Sequence, residues 1–395
     1  ASYPPQRTLS SLPCGWHLPR RLTLGYVGGD FRHHPVGHAV TSILHLHDRT
    51  KIETVVVSTG RDDHSLWRRH AHSAADKWVD LHKVDDTAAK ATILEHKIHV
   101  LVTIGGYSGG SRIGLLATPL APVQINALGY MRTLAMPTVP FFLSDTIASP
   151  PEYAASFSEK LVLLSHGAAL ISHHALTFPD PVSTKGRGRA VRRALRRALG
   201  VDDDDVLLGY FGSSAKLDPA TFEQWLTVLA DDPRAKLVWG REVGGGVHRL
   251  RQLAERHGVD ASRILTPTSV LVGREDSEED DDMSMPLPFR SHIWLKTIVD
   301  VHLDTPLFNG HATSADALWA GGPLLTVPGE AATTRSGAAM ALAARHGMLI
   351  ARNAKDYGLL AAAGVRKGAG GALRAQSRCG DLFRANRWVK QWETL

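Results

Sequence analysis

The feature that most restricts how this chain can fold is a rhythm. Short β-rich runs, often ending in glycine, alternate with stretches long enough for a helix. In the first half the runs are LTLGYVGG (22–29), IETVVVST (52–59), KWVDL (77–81), HVLVTIGG (99–106) and PVQINALG (122–129). Between the first four lie HAVTSILHLHD, HSLWRRHAHSAAD and DDTAAKATILEHK. Strands separated by helices of this length imply parallel βαβ units, because neighbouring parallel strands need a long crossover. Residues 180–205 break the pattern with Pro and Gly, the arginine-rich KGRGRAVRRALRR (185–197), then DDDD. The rhythm restarts with VLLGYFG (206–212), PATFEQWLTVLADDP, AKLVWGR, VHRLRQLAERHG, RILTPT and VDVHLDT, and PLLTVPG and GMLIAR follow, each preceded by a helical segment.

The expected fold is therefore α/β, with two Rossmann-like domains facing each other across a cleft. The expected boundaries are an N-terminal extension (1–21), a first lobe (22–180), a basic linker (181–205) and a second lobe (206–395). Open parallel sheets bind ligands beyond the carboxyl ends of their strands, and a cleft between two of them is a common ligand site. One stretch, GREDSEEDDDMSMPLP (273–288), is acidic and of low complexity, and is expected to be a disordered surface insertion.

Composition narrows the function classes. No apolar run approaches the roughly 18 residues of a membrane helix, and the first twenty residues lack the apolar core of a secretory signal. With only Cys14 and Cys379, the chain has no disulfide framework, which points to a cytoplasmic or nuclear location. The net charge is +6, yet seven basic residues within 185–197 exceed that whole excess. No aromatic residues are interleaved with them, so a solvated linker helix is expected rather than a nucleic-acid surface.

The stretch NGHATSAD (309–316) follows a strand and opens a helix. A helix start near Thr313 or Ser314 would place Asp316 in the first turn, where negative charge is favoured. By itself that reads as a capped helix. The same geometry is also a phosphate cradle, with His311 and Thr313 adding donors to the amides of Ala312 and Thr313, and Asp316 able to accept from a ribose hydroxyl. In FGSSAKLDP (211–219), Lys216 falls between a strand and a helix starting near Pro219, at the same carboxyl edge. His292 in RSHIWLKTIVD is placed on a turn, where an imidazole could stack on a base. In GYVGGDFRHHPVGH (25–38) the histidines 33, 34 and 38 crowd a strand end, suited to proton transfer or to zinc, although no cysteine or carboxylate set completes a metal site.

Together these pieces resemble the catalytic region of nucleocytoplasmic protein O-GlcNAc transferases and their SPINDLY-type relatives. The resemblance runs in order from about residue 22 to the C-terminus through GYVGGDFRHHPVGH, IHVLVTIGGYSGGSR, APVQINALGY, SPPEYAASFSEKLVLL, AKLDPATFEQW, VDVHLDTPLFNGHATSADALWAGGPLLTVPGE and RSGAAMALAARHG. It implies a GT-B fold and inverting transfer of a sugar from a nucleotide diphosphate to Ser or Thr hydroxyls of proteins, with no required metal or other cofactor. It further implies that His34 is the catalytic base or acceptor-side organiser and that Lys216 holds the diphosphate. His292 would stack on the base, His311, Ala312 and Thr313 would bind phosphate, Asp316 would bind ribose, and His99 and Tyr107 would line the cleft. Departures are also present. Ser213 and Ala215 stand where the GlcNAc enzymes carry larger side chains, with Ser213 still in the nucleotide-sugar set. Phe289 and Leu295 replace basic residues, and no tetratricopeptide superhelix lies in these 395 residues. HHPVGH favours UDP-GlcNAc as donor substrate, SSAK favours GDP-fucose, and a catalytically silent nucleotide-binding module is the third expectation.

Overall fold

The structure, a computed structural model, describes residues 20–164, 173–178, 187–240, 246–267, 287–367 and 380–394. Both cysteines and residues 273–286 of the acidic stretch lie outside the described residues.

The first unit contains a seven-stranded sheet. Strands β1 (Leu22–Gly28), β2 (Ile52–Ser58), β3 (Lys77–Asp80) and β4 (Val100–Thr103) are linked by helices α1 (Pro35–Leu46), α2 (Leu66–Ala74) and α3 (Asp86–Glu95). β5 (Val123–Asn126), β6 (Phe141–Asp145) and β7 (Lys160–Leu164) complete the order β3-β2-β1-β4-β5-β6-β7. Pairing is parallel between β1 and both its neighbours, and likewise for β2–β3, β4–β5 and β5–β6. Val27, Val55, Val57, Ile93, Leu101 and Leu115 are among the buried residues of one core layer. The helices start where short polar side chains accept first-turn amides: Ser65 from Arg68, and Asp85 from Thr87 and Ala88.

The last two strands of this sheet escaped the sequence rhythm because no full helix separates them. Only the 3-10 segment Pro151–Ser156 lies between β6 and β7.

The second unit holds a five-stranded sheet in the order β10-β9-β8-β11-β12, from β8 (Val206–Tyr210), β9 (Ala235–Trp239), β10 (Ile264–Leu265), β11 (Val301–Leu303) and β12 (Leu324–Leu325). Around it pack α4 (Arg187–Ala198), α5 (Pro219–Asp231), α6 (Gly246–Arg256), α7 (Leu287–Lys296), α8 (Ala312–Trp319), α9 (Ser336–Ala343) and α10 (Ala354–Lys367). Trp225, Leu229, Leu237, Val301 and Tyr357 are buried at the centre of its main core. GMLIAR, expected as a strand, is a 3-10 turn at Gly347–Leu349 followed by one bridge between Ile350 and Thr326.

The compact units depart from the linear division in three places. Residues 145–149 group with the second unit, where Arg335 Nε donates to the Ile147 carbonyl at 2.8 Å. Residues 386–394 group with the first, because the final helix α11 (Ala385–Trp392) returns to β1: Trp392 Nε1 donates to the Tyr26 hydroxyl at 3.2 Å, and Glu393 bonds His47 at 2.9 Å. The third concerns the basic stretch. Helix α4 belongs to the second unit, with Arg192 and Arg196 both reaching the Asp300 carboxylate (2.6 and 3.2 Å). Arg196 is buried, while Arg189, Arg193 and Arg197 stay exposed. Half of the expected linker is thus an ion-paired wall of the second unit. Among the described residues, no helix is long and apolar enough to cross a membrane.

Candidate active site

The carboxyl ends of β8 and β11 carry the centre of the second unit's candidate site. β8 ends at Tyr210, whose hydroxyl donates to the Ser213 carbonyl at 2.8 Å. Ser213 then opens a 3-10 turn, Ser214–Lys216, by accepting the Ala215 amide. That turn delivers Lys216 just before α5, which starts at Pro219 with Asp218 as its cap.

Lys216 is turned inward. Its Nζ donates to the Asn309 carbonyl at 2.8 Å and lies 4.2 Å from the centre of the Phe308 ring. Burial lowers its pKa, and the neighbouring Asp304 pulls it back. Sequence-distant residues therefore meet as the spacing suggested: the lysine after β8 grips the loop that leads into α8.

That loop is tightly built. Asp304, at the end of β11, accepts the amides of Thr305 (3.0 Å) and Gly310 (2.7 Å) on one oxygen and the Thr326 hydroxyl (2.8 Å) on the other. Asn309, fully buried, donates from Nδ2 to the Thr305 carbonyl and accepts the Gly337 amide at Oδ1. Gly310 is required by the close return: a Cβ there would lie 2.5 Å from Ser314 Oγ and 2.6 Å from Thr313 Oγ1. A small cavity beside the loop is lined by Tyr210, Gly212, Asp304, Gly310 and Thr313, among others. Asp304 and Asn309 were missed in the sequence; the only signal was a carboxylate at a strand end.

Helix α8 differs from the expected capped helix. It starts at Ala312, one or two residues early, and His311 in the N-cap position makes no side-chain cap bond. Ser314 and Ala315 bond back to the His311 carbonyl, whereas the Ala312 and Thr313 amides have no partner among the described residues. α2, α3 and α5 all have side-chain caps. The uncapped start leaves N–H groups and a partial positive charge for an anion. His311 Nε2 is buried without a hydrogen-bond partner, and burial, helped by the Lys216 charge, pushes its pKa down to about 3. His311 is neutral at physiological pH.

Asp316 is corrected in place. The earlier helix start moves it to the second turn, where it is buried and ion-paired rather than complementing the first-turn dipole. Oδ1 lies 2.7 Å from His174 Nε2, and Oδ2 lies 2.5 Å from Lys296 Nζ. The Lys296 charge holds this carboxyl well below its usual range against the opposing effect of burial. His292 is also corrected: it lies on α7, not on a turn. Its Nε2 is 2.7 Å from Lys296 Nζ and 3.5 Å from Asp316 Oδ2, and its ring meets Phe211 edge-on at 6.0 Å. Leu295, on the same helix, is fully buried in an apolar cluster with Phe211 and Val238.

In the first unit, His34 caps α1, its Nδ1 accepting the Val36 amide at 3.3 Å. Asp30 Oδ2 is 3.5 Å from the same nitrogen. The two contacts require opposite tautomers, and the Asp30 contact leaves the Nε2 lone pair available as a base. Burial lowers the His34 pKa against the pull of Asp30, favouring the neutral ring. His38 is buried and stacks on Trp67 at 3.9 Å, and the His33 ring is 5.1 Å from His38. Among the described residues, no group of three His, Cys, Asp or Glu could hold a metal ion.

Tyr107, on the loop after β4, is exposed and donates its hydroxyl to the Leu134 carbonyl at 2.8 Å. His99 does not join the carboxyl-edge loops. It precedes β4 and accepts the Thr23 amide at Nδ1 (2.9 Å), at the amino end of the sheet. A residue before a parallel strand lies at the opposite edge from one after it.

With this geometry in view, comparison with known proteins is decisive. The description "Glycosyl transferase family 41" matches residues 16–185 and 183–378. The chain belongs to that family. That family includes relatives named for O-GlcNAc transfer and for SPINDLY, and the fold is GT-B. A probable UDP-N-acetylglucosamine–peptide N-acetylglucosaminyltransferase SEC from Arabidopsis thaliana is 29% identical over 381 residues, which cover 95% of this chain and 36% of the relative. A UDP-N-acetylglucosamine–peptide N-acetylglucosaminyltransferase from Caenorhabditis elegans is 24% identical, covering 86% of this chain and 37% of its own length. The chain thus spans about a third of the curated relatives it matches. Among solved structures, a mutant form of Thermobaculum terrenum O-GlcNAc transferase superposes with a TM-score of 0.78 at 24% identity, covering 95% of this chain and 66% of the other.

Proposed function

We propose that this glycosyltransferase moves N-acetylglucosamine from UDP-N-acetylglucosamine to Ser or Thr hydroxyls of cytoplasmic or nuclear proteins, with inversion and without a metal. The observation that carries the reading is the 2.8 Å bond from Lys216 to the Asn309 carbonyl, which sets an ammonium beside the uncapped start of α8. Transfer forms a bond from the acceptor oxygen to the anomeric carbon and breaks the bond to the diphosphate. Negative charge grows on the departing oxygen. Lys216 and the Ala312 and Thr313 amides are the donors for that charge, the part a metal ion takes in other enzymes. His34, held neutral, takes the acceptor proton. His292 and Asp316 meet the nucleoside, His311 and Ser213 shape the phosphate end, and Tyr107 is an acceptor-side contact.

Calorimetry with UDP and with GDP tests the donor. UDP is expected to bind more tightly, and binding to GDP alone would overturn the donor assignment in favour of GDP-fucose. Lys216→Ala should lower transfer to a peptide library by about 10²- to 10³-fold while the protein stays folded. Wild-type turnover would remove Lys216 from the mechanism. Nucleotide binding with no transfer from any donor would mark a silent module instead.

A further inference from the structure

Lys296 is the last residue of α7 and is completely buried, an unusual position for an ammonium group. Its Nζ lies 2.5 Å from Asp316 Oδ2, 2.7 Å from His292 Nε2 and 5.4 Å from the Phe211 ring centre. An ammonium offers three N–H donors and no acceptor. Facing that donor, His292 Nε2 must present its lone pair, and the ring proton then sits on Nδ1. His174 has the opposite arrangement. Its Nε2 is 2.7 Å from Asp316 Oδ1, and a carboxylate only accepts, so His174 carries its proton on Nε2.

Two histidines thus flank one carboxylate as opposite tautomers, and Lys296 is what makes them differ. Without it, His292 Nε2, already 3.5 Å from Asp316 Oδ2, would take the proton and donate to the carboxylate as His174 does. The ammonium also opposes imidazolium formation at His292, because a protonated ring would set one N–H against another. Burial lowers the Lys296 pKa, and the Asp316 charge counters this, as expected for an ion pair kept out of water.

We propose that Lys296 is a positioning residue for the donor nucleoside, fixing His292 as the neutral Nδ1–H tautomer and orienting the Asp316 carboxylate without touching the nucleotide itself. The proposal rests on the reading of His292 and Asp316 as nucleoside contacts given above.

The experiment uses the ¹⁵N-labelled full chain. Long-range ¹H–¹⁵N correlation reports which ring nitrogen of His292 carries the proton, with the signal assigned by its loss in His292→Gln. UDP affinity is measured by calorimetry on the same samples. The wild type should show His292 as Nδ1–H. Lys296→Met should convert it to Nε2–H and weaken UDP binding by about tenfold or more, as loss of an outer supporting residue does elsewhere. A merely structural lysine would leave the tautomer unchanged. An Nε2–H signal in the wild type overturns the proposal, as does a retained tautomer or an unchanged UDP affinity in Lys296→Met. Should Lys296→Met fail to fold, Lys296→Gln decides: its amide N–H groups can serve both partners, so tautomer and affinity should be kept, and loss of either overturns the proposal. A wild type that binds neither UDP nor GDP fails the functional reading. A wild type and variant that bind UDP equally well fail only this inference.

Discussion

Asp304→Asn is the most informative perturbation, because it separates what holds the loop between β11 and α8 from what destabilises it. Asp304 is 3% exposed, and burial raises its pKa to about 6 from 3.8, despite the bonds from Gly310, Thr326 and Thr305. A raised folded-state pKa means that the protonated form is favoured by folding. Its stabilising contribution is complete below pH 3.8 and is lost as pH rises through about 6. At roughly 1.4 kcal/mol per pH unit, keeping Asp304 ionised at neutral pH costs about 3 kcal/mol. Asparagine keeps the shape and the acceptor for the Thr305 and Gly310 amides, and it cannot ionise. The unfolding free energy of the variant minus that of the wild type should therefore rise by about 3 kcal/mol between acid and neutral pH. Urea titrations of both proteins at matched pH values measure this, and shared histidine contributions cancel in the difference. Parallel pH curves for the two proteins would refute the assignment. The same carboxylate draws Lys216 toward its ammonium form, so the more stable variant should transfer sugar more slowly.

Gly337→Ala should cost about 1–3 kcal/mol of stability, because the added Cβ would fall 2.1 Å from Asp304 Oδ2 and 2.6 Å from Thr326 Oγ1. A variant with wild-type urea resistance would contradict that packing. His346 is buried with neither ring nitrogen hydrogen-bonded, and burial lowers its pKa. Since the unfolded chain takes up a proton there more readily, stability is present at neutral pH and is lost as pH falls below the ordinary histidine range. His346→Leu should lessen that acid sensitivity without loss at neutral pH; equal acid sensitivity in thermal melts would exclude His346 as a source.

Much of the fold was legible because βαβ periodicity is a local signal. Alternating runs such as IETVVVST and HSLWRRHAHSAAD need only their own residues to state strand or helix, and the crossover length then requires parallel pairing. Lys216 was legible for the same reason, lying between the end of β8 and Pro219. The signal weakened where elements were short: β6 and β7 have only a 3-10 segment between them, and GMLIAR reduced to a single bridge.

The amino-acid sequence by itself determined two parallel α/β sheets and the loops that carry Lys216 and Thr313 at their carboxyl edges. Tertiary structure alone decided which charges meet. His174 finds Asp316 from 142 residues away. Lys296 is buried against the same carboxylate, Asp304 closes the loop between β11 and α8, and His99 falls at the opposite edge from the one its motif suggested. The reason is physical. Backbone periodicity follows from steric preferences within a few neighbouring residues, whereas a buried ion pair is stable only where distant chain segments exclude water from it together.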